Sequence, residues 1–129
     1  MQKGESVSIS VLIAEDEMNI AESLRFILER ADCHVRHAAD GERALQEARA
    51  RTPDVMILDV MLPSLNGFDV LKTIRADESL CAIPVLILTA KGQSQDRQTA
   101  DDLGADAFVT KPFANAEIVS EVLRLGSGN

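Results

Sequence analysis

The sequence contains no tryptophan, no tyrosine and only four phenylalanines. That leaves little aromatic surface for stacking bases or a flavin. Its two cysteines, Cys33 and Cys81, have the spacing of neither a metal knuckle nor a redox pair. Its two histidines, His34 and His37, fall on opposite faces of a short strand, so one metal would not easily meet both. Positive charge is scarce: 13 Lys and Arg against 21 Asp and Glu give a net charge of -8. This argues against nucleic-acid binding by this domain. Long apolar runs are also missing, since "VLIA" and "PVLILTA" fall far short of a bilayer span, and no membrane association is expected. No basic stretch precedes a hydrophobic core near Met1, so no secretion signal is expected. The cysteines then read as reduced residues of a cytoplasmic protein. Neither a G-x-G-x-x-G fingerprint nor a P-loop follows the first apolar run, where "AEDEMN" would repel phosphate without a metal.

What is present fits one ordinary domain: 129 residues, 46% hydrophobic and 26% charged, which is globular composition. Apolar segments recur as "SVLIAE" (10–15), "DVMILD" (54–59), "PVLILT" (84–89) and the shorter "DAFVT" (106–110). Near-continuous apolar runs predict strands covered on both faces. A more polar fifth segment, "CHVRHA" (33–38), reads as an edge strand. Helical spacing lies between them, carried by Ile20, Leu24, Ile27 and Leu28, by Ala44, Leu45 and Ala48, by Val70, Leu71 and Ile74, and by Ile118, Val122 and Leu125. Asp40 is expected to cap the second helix and Gly104 to close the fourth. The fourth, "SQDRQTADDLG" (94–104), has only Ala100 and Leu103 to bury. Strands alternating with helices predict an α/β domain, a parallel sheet with helices on both faces.

In such a sheet ligands gather beyond the carboxyl ends of the strands. Those ends deliver Glu15 and Asp16, Asp59, Thr89 and Lys111. Three clustered carboxylates repel one another, and a hard divalent cation such as Mg²⁺ neutralises them. Lys111 adds a fixed positive charge and Thr89 a hydroxyl donor. Together they would stabilise the equatorial oxygens of a transferring phosphoryl group, with Asp59 as nucleophile. Each residue also has a plain reading. Asp16 alone reads best as a cap of the first helix, Glu15 as a solvated acid, Asp59 and Thr89 as turn residues and Lys111 as a surface lysine. Their coincidence at strand ends favours the shared site.

The motifs "AEDE" (14–17), "ILDVMLPSLNGFDVL" (57–71), "ILTAKG" (87–92) and "GADAFVTKPF" (104–113) resemble the receiver domain of two-component response regulators. The resemblance covers residues 8 to 125, with 1–7 and 126–129 expected to be flexible. It implies a flavodoxin-like (βα)5 domain with strand order 2-1-3-4-5, an order that periodicity alone leaves open. It also implies that Asp59 is the phosphoacceptor, and that Glu15, Asp16, Asp59 and the Met61 backbone carbonyl surround Mg²⁺. Lys111 and Thr89 would contact the phosphoryl group, small Ala90 would leave the pocket open, and Lys111–Pro112 matches a bond usually cis in the family. The implied partner is a sensor histidine kinase or histidine phosphotransfer protein. The output, to a further domain or a downstream protein, would leave through residues 94–125. The domain would be no enzyme in its own right, although it would assist its own phosphorylation and slow dephosphorylation.

One departure stands out. Phe108 occupies the switch position where the family most often has Tyr, so inward rotation behind Thr89 remains but a hydroxyl contact does not. Met61 and Lys91 stand where the family tunes water access to the phosphoryl group. Many relatives in the family dimerise through the fourth helix, the last strand and the last helix, using ion pairs between subunits. Arg97 and Glu117 could form one, but Ala107 and an unpartnered Glu121 leave a second missing, so a monomer or weak dimer is expected. Three other functions compete with this one. Aspartyl phosphatases place a second acid where Met61 stands, and dinucleotide binders need the missing glycine fingerprint. The remaining alternative is a receiver-like protein-interaction module that is not phosphorylated; such modules usually lose an acid or the lysine, and here all are kept.

Overall fold

The computed structural model describes residues 8–90 and 94–127. Five strands and five helices alternate: β1 (Ser10–Ala14), α1 (Met18–Arg30), β2 (His34–Ala38), α2 (Gly41–Ala50), β3 (Val55–Asp59), α3 (Gly67–Ala76), β4 (Val85–Ala90), α4 (Ser94–Asp102), β5 (Ala107–Lys111) and α5 (Asn115–Gly126). The strands form one parallel sheet in the order β2-β1-β3-β4-β5. The polar segment is the edge strand β2, as its composition predicts.

The central strands are buried throughout because both faces are covered. Alternate side chains go to opposite layers. Leu12, Met56, Leu58, Val85 and Ile87 pack with Ala44, Leu45, Val70, Leu71 and Ile74 from α2 and α3. Val11, Ile13, Val55, Ile57, Leu86 and Leu88 pack with Leu24 and Leu28 of α1 and Ile118 and Val122 of α5. The helix faces read from spacing are the faces that are buried, although Ile20 and Ile27 sit only at the margin of the core.

Asp40 caps α2 by accepting the Arg43 amide at 2.8 Å, as expected. The plain reading of Asp16 fails: the N-cap of α1 is Glu17, without a side-chain capping bond, so Asp16 is not the cap. Asp16 lies exposed one residue earlier, free for other work. Gly104 ends α4 at φ 87, with its amide on the Asp101 carbonyl and the Ala105 amide on the Ala100 carbonyl. That paired closure requires a left-handed residue, which glycine supplies without strain. Gly126 falls in the segment expected to be a flexible tail. It is instead the last residue of α5 and abuts Ile9 and Val55. Residues 1–7 and 128–129 lie outside the described residues.

Candidate functional site

Register brings the strand-end residues together. Ala14 is level with Leu58, so Glu15 and Asp59, the next residues of β1 and β3, emerge side by side. Asp59 is level with Leu88, and Thr89 follows it on β4. Ala90 is level with Lys111 on β5. Glu15, Asp59 and Thr89 are the polar residues buried among those described, and all three stand at this one sheet edge.

Carboxylate oxygens of Glu15, Asp16 and Asp59 lie within 4.8 Å of one another. The Lys111 ammonium bridges two of them, 3.2 Å from Glu15 Oε1 and 3.3 Å from Asp59 Oδ2. Asp59 Oδ1 accepts the Met61 amide at 3.3 Å, which sets Met61's backbone beside the carboxylate while its side chain points outward, 75% exposed. Gly67 lets the following loop close down on Asp59: a Cβ there would stand 2.4 Å from the Asp59 carbonyl oxygen. The Lys111–Pro112 bond is cis, and Ala90 is exposed at the rim.

The electrostatics follow from burial. Glu15 is 0% exposed. Burial raises its pKa to about 7, helped by Asp59 and offset in part by the Glu17 amide and Lys111. Burial also works against the charged form of Lys111, but Asp59 and Glu15 outweigh it and hold its pKa above the ordinary lysine value. Among the described residues, Glu15 Oε1 accepts no hydrogen bond, even with Lys111 nearby. A buried carboxylate oxygen with spare acceptor capacity, beside two further carboxylates, fits a hard divalent cation.

Three neighbours of the site escaped the reading of the residues. His37 donates from Nε2 to the Glu15 carbonyl at 2.6 Å and braces the end of β1. Its place on β2, level with Ile13, was the available signal. The Thr89 hydroxyl donates to Asp96 Oδ2 of α4 at 2.5 Å. The Arg97 guanidinium lies over the Phe108 ring, 5.2 Å from its centroid. Glu121, expected to be unpartnered, is corrected too, because Arg124 pairs with it within α5. Lys91 lies outside the described residues. On the Lys111 side, a largely apolar groove of about 470 Å³ opens between α1 and the start of α5, lined by Asn19, Ile20, Ser23, Pro112 and Phe113 among others.

Comparison with known proteins agrees with this architecture. The family model for the response regulator receiver domain matches residues 11–123. The alkaline phosphatase synthesis transcriptional regulatory protein PhoP of Bacillus subtilis is 41% identical over 112 residues, covering 87% of this chain and 46% of that protein. The chain spans about half the length of the curated relatives it matches. Among solved structures, the receiver domain of a signal transduction histidine kinase from Syntrophus aciditrophicus superposes with a TM-score of 0.87 at 33% identity, covering 94% of this chain and 92% of that one. The receiver domain of the Pseudomonas aeruginosa sensor histidine kinase PA1611, with a magnesium ion coordinated in its active-site cleft, gives a TM-score of 0.86 at 27% identity, covering 94% and 99%. With its parallel 2-1-3-4-5 sheet and its acidic strand ends, this chain belongs to the response regulator receiver domain family, a family of signalling domains.

Proposed function

We propose that this domain accepts a phosphoryl group on Asp59 from a phosphohistidine of a sensor kinase or phosphotransfer protein. The observation that supports this best is Lys111, whose ammonium bridges Asp59 and Glu15 within a cluster of three carboxylates. An Asp59 oxygen attacks phosphorus as the phosphorus–nitrogen bond of the donor breaks. The donor nitrogen leaves with the bonding pair, and an acyl phosphate forms on Asp59. Lys111 stands where it would neutralise the incoming phosphoryl charge, and Thr89 would donate its hydroxyl to a phosphoryl oxygen. Glu15, Asp16, Asp59 and the Met61 carbonyl would hold Mg²⁺. When bound, that ion supplies positive charge against the carboxylates and the phosphoryl oxygens. Thr89 and Phe108 are the proposed switch, and α4, β5 and α5 the proposed output surface. The groove beside Lys111 suits the apolar face of a helix carrying the donor histidine. No helix among the described residues is long and apolar enough to cross a membrane; the domain is proposed to act in the cytoplasm.

A small phosphodonor with Mg²⁺ should add one phosphoryl group, read by intact mass and mapped to Asp59; chelator should abolish it. Labelling at another residue, or none, would reject this reading in favour of an interaction module that is not phosphorylated.

Hydrolysis runs through attack of water on phosphorus and release of phosphate from the Asp59 oxygen. Met61 stands at the mouth of the site, and its apolar side chain is proposed to screen that water. Met61→Asn should therefore shorten the lifetime of the phosphorylated form several-fold. Equal decay rates for the two proteins would count against screening.

A further inference from the structure

The helix α4 is held very differently at its two ends. Its C-terminal end is pinned by Arg75 of α3, which donates from Nε and Nη2 to the Gly104 carbonyl at 3.1 and 2.8 Å. The same guanidinium reaches Asp106 at 2.9 Å and the Ile83 carbonyl at 2.7 Å. Along the helix, Ala100 is the buried residue among those described. Among the described residues the first turn has no comparable apolar anchor. Among the described residues it meets the sheet through two adjacent side chains: Asp96 takes the Thr89 hydroxyl at 2.5 Å, and Arg97 covers Phe108.

A threonine hydroxyl carries a single proton. It can donate to Asp96 or to an oxygen of a group on Asp59, and not to both. A bond of 2.5 Å from a hydroxyl to a carboxylate has the length of a charge-assisted bond, among the stronger kinds available to a side chain. The acceptor in α4 therefore competes with any phosphoryl oxygen for the same proton. The sparsely anchored first turn makes this competition consequential, because losing the bond frees an end of α4 that, among the described residues, little else holds. The pinned end at Gly104 then serves as the pivot.

Resting on the reading of Asp59 as phosphoacceptor, we propose that Asp96 is a positioning residue that restrains the domain. It draws the Thr89 hydroxyl toward α4 and away from Asp59, so the phosphoryl group must win that proton before the first turn of α4 is released. Arg97 on Phe108 ties the second switch residue to the same turn, so one displacement frees both.

The restraint lowers affinity for a phosphoryl mimic by the fraction of molecules whose Thr89 is free. With Mg²⁺ and beryllofluoride as the probe, Asp96→Ala should bind about tenfold more tightly than the parent, as expected if roughly one molecule in ten has Thr89 free. Asp96→Asn, which keeps a weaker acceptor, should fall between the two. Thr89→Ala should bind more weakly than the parent. In the Thr89→Ala background, Asp96→Ala should have no further effect, because there is no proton left to compete for. That cycle separates the restraint from a simple charge effect and from general loosening of α4. If Asp96→Ala gave the same gain with and without Thr89, or no gain at all, the restraint would be overturned. Beryllofluoride binding by the parent would meanwhile leave the phosphoacceptor reading standing. Failure of the parent to bind the probe would overturn both.

Discussion

Asp59→Asn is expected to melt several degrees above the parent in chelator at pH 8, and to take up no phosphoryl group from a small donor with Mg²⁺. The two effects have one cause. Without metal, Asp59 shares the site with Glu15 and Asp16, and one ammonium, bridging Glu15 and Asp59, stands against three carboxylates. Two like charges within 4.8 Å of Asp59 outweigh one opposite charge at 3.3 Å. At an effective dielectric near 20 the difference is roughly 2 kcal/mol, and less once the exposure of Asp16 is allowed for. Asparagine keeps the shape and can still accept the Met61 amide, so the charge is the main thing removed. For a domain of this size about 1–2 kcal/mol raises the melting temperature by roughly 3–8 °C. The same substitution removes the proposed carboxylate nucleophile, so intact mass after treatment with the donor should be unchanged. A lower melting temperature in chelator would show that the acids are not in conflict. Labelling of the variant would show that Asp59 is not the acceptor.

How much of this was legible in the sequence depends on the distance over which each feature is decided. Buried strands are local: "VMIL" has no polar residue to turn outward, so both faces must be covered. The site was legible for a related reason, because a carboxylate closing such a run has one edge on which to emerge. The order of the strands is not local. The residues allow several arrangements, and 2-1-3-4-5 came from the family resemblance. The start of α1 is decided by where backbone dihedrals turn helical, and one residue of difference removed the cap reading of Asp16 and left it in the cluster. Glu121 and Arg124 are a different case, since a helical spacing of three was there to be read. Least legible was the partner of the Thr89 proton. A hydroxyl turns to the best acceptor, and that acceptor lies on α4, whose first turn is placed by contacts with Thr89 and Phe108 themselves.

The stability of the metal-free domain should fall as pH rises from about 5 to about 8, and Mg²⁺ should reverse the fall. Glu15 has its pKa raised from 4.5 to about 7 by burial and by Asp59. An acid with a raised folded pKa is protonated in the folded state over a range where the unfolded chain has lost the proton. Its contribution is therefore complete below about 4.5 and is lost as pH rises through about 7. The difference amounts to about 3 kcal/mol between the ends of the window. Lys111, also raised, acts only near and above the ordinary lysine range and leaves this window untouched. Asp77 has the opposite sign, because the hydrogen bonds it accepts from the Ser79 hydroxyl and amide lower its pKa, and its contribution is lost only on strong acidification. With Glu15 as a proposed ligand, Mg²⁺ would compete with the proton for it, so its benefit should be small at pH 5 and large at pH 8. A hundredfold excess over its dissociation constant contributes about 2.7 kcal/mol. Urea midpoints measured from pH 5 to 8, with chelator and with Mg²⁺, provide the test. Glu15→Gln isolates the group: its midpoints in chelator should lose the downward slope, and its gain from Mg²⁺ should shrink. A parent profile that is flat or rising in chelator would mean that Glu15 already carries its charge comfortably in the folded domain. The buried acid would then have no unmet need for a cation, and the argument for the metal from this site would fail.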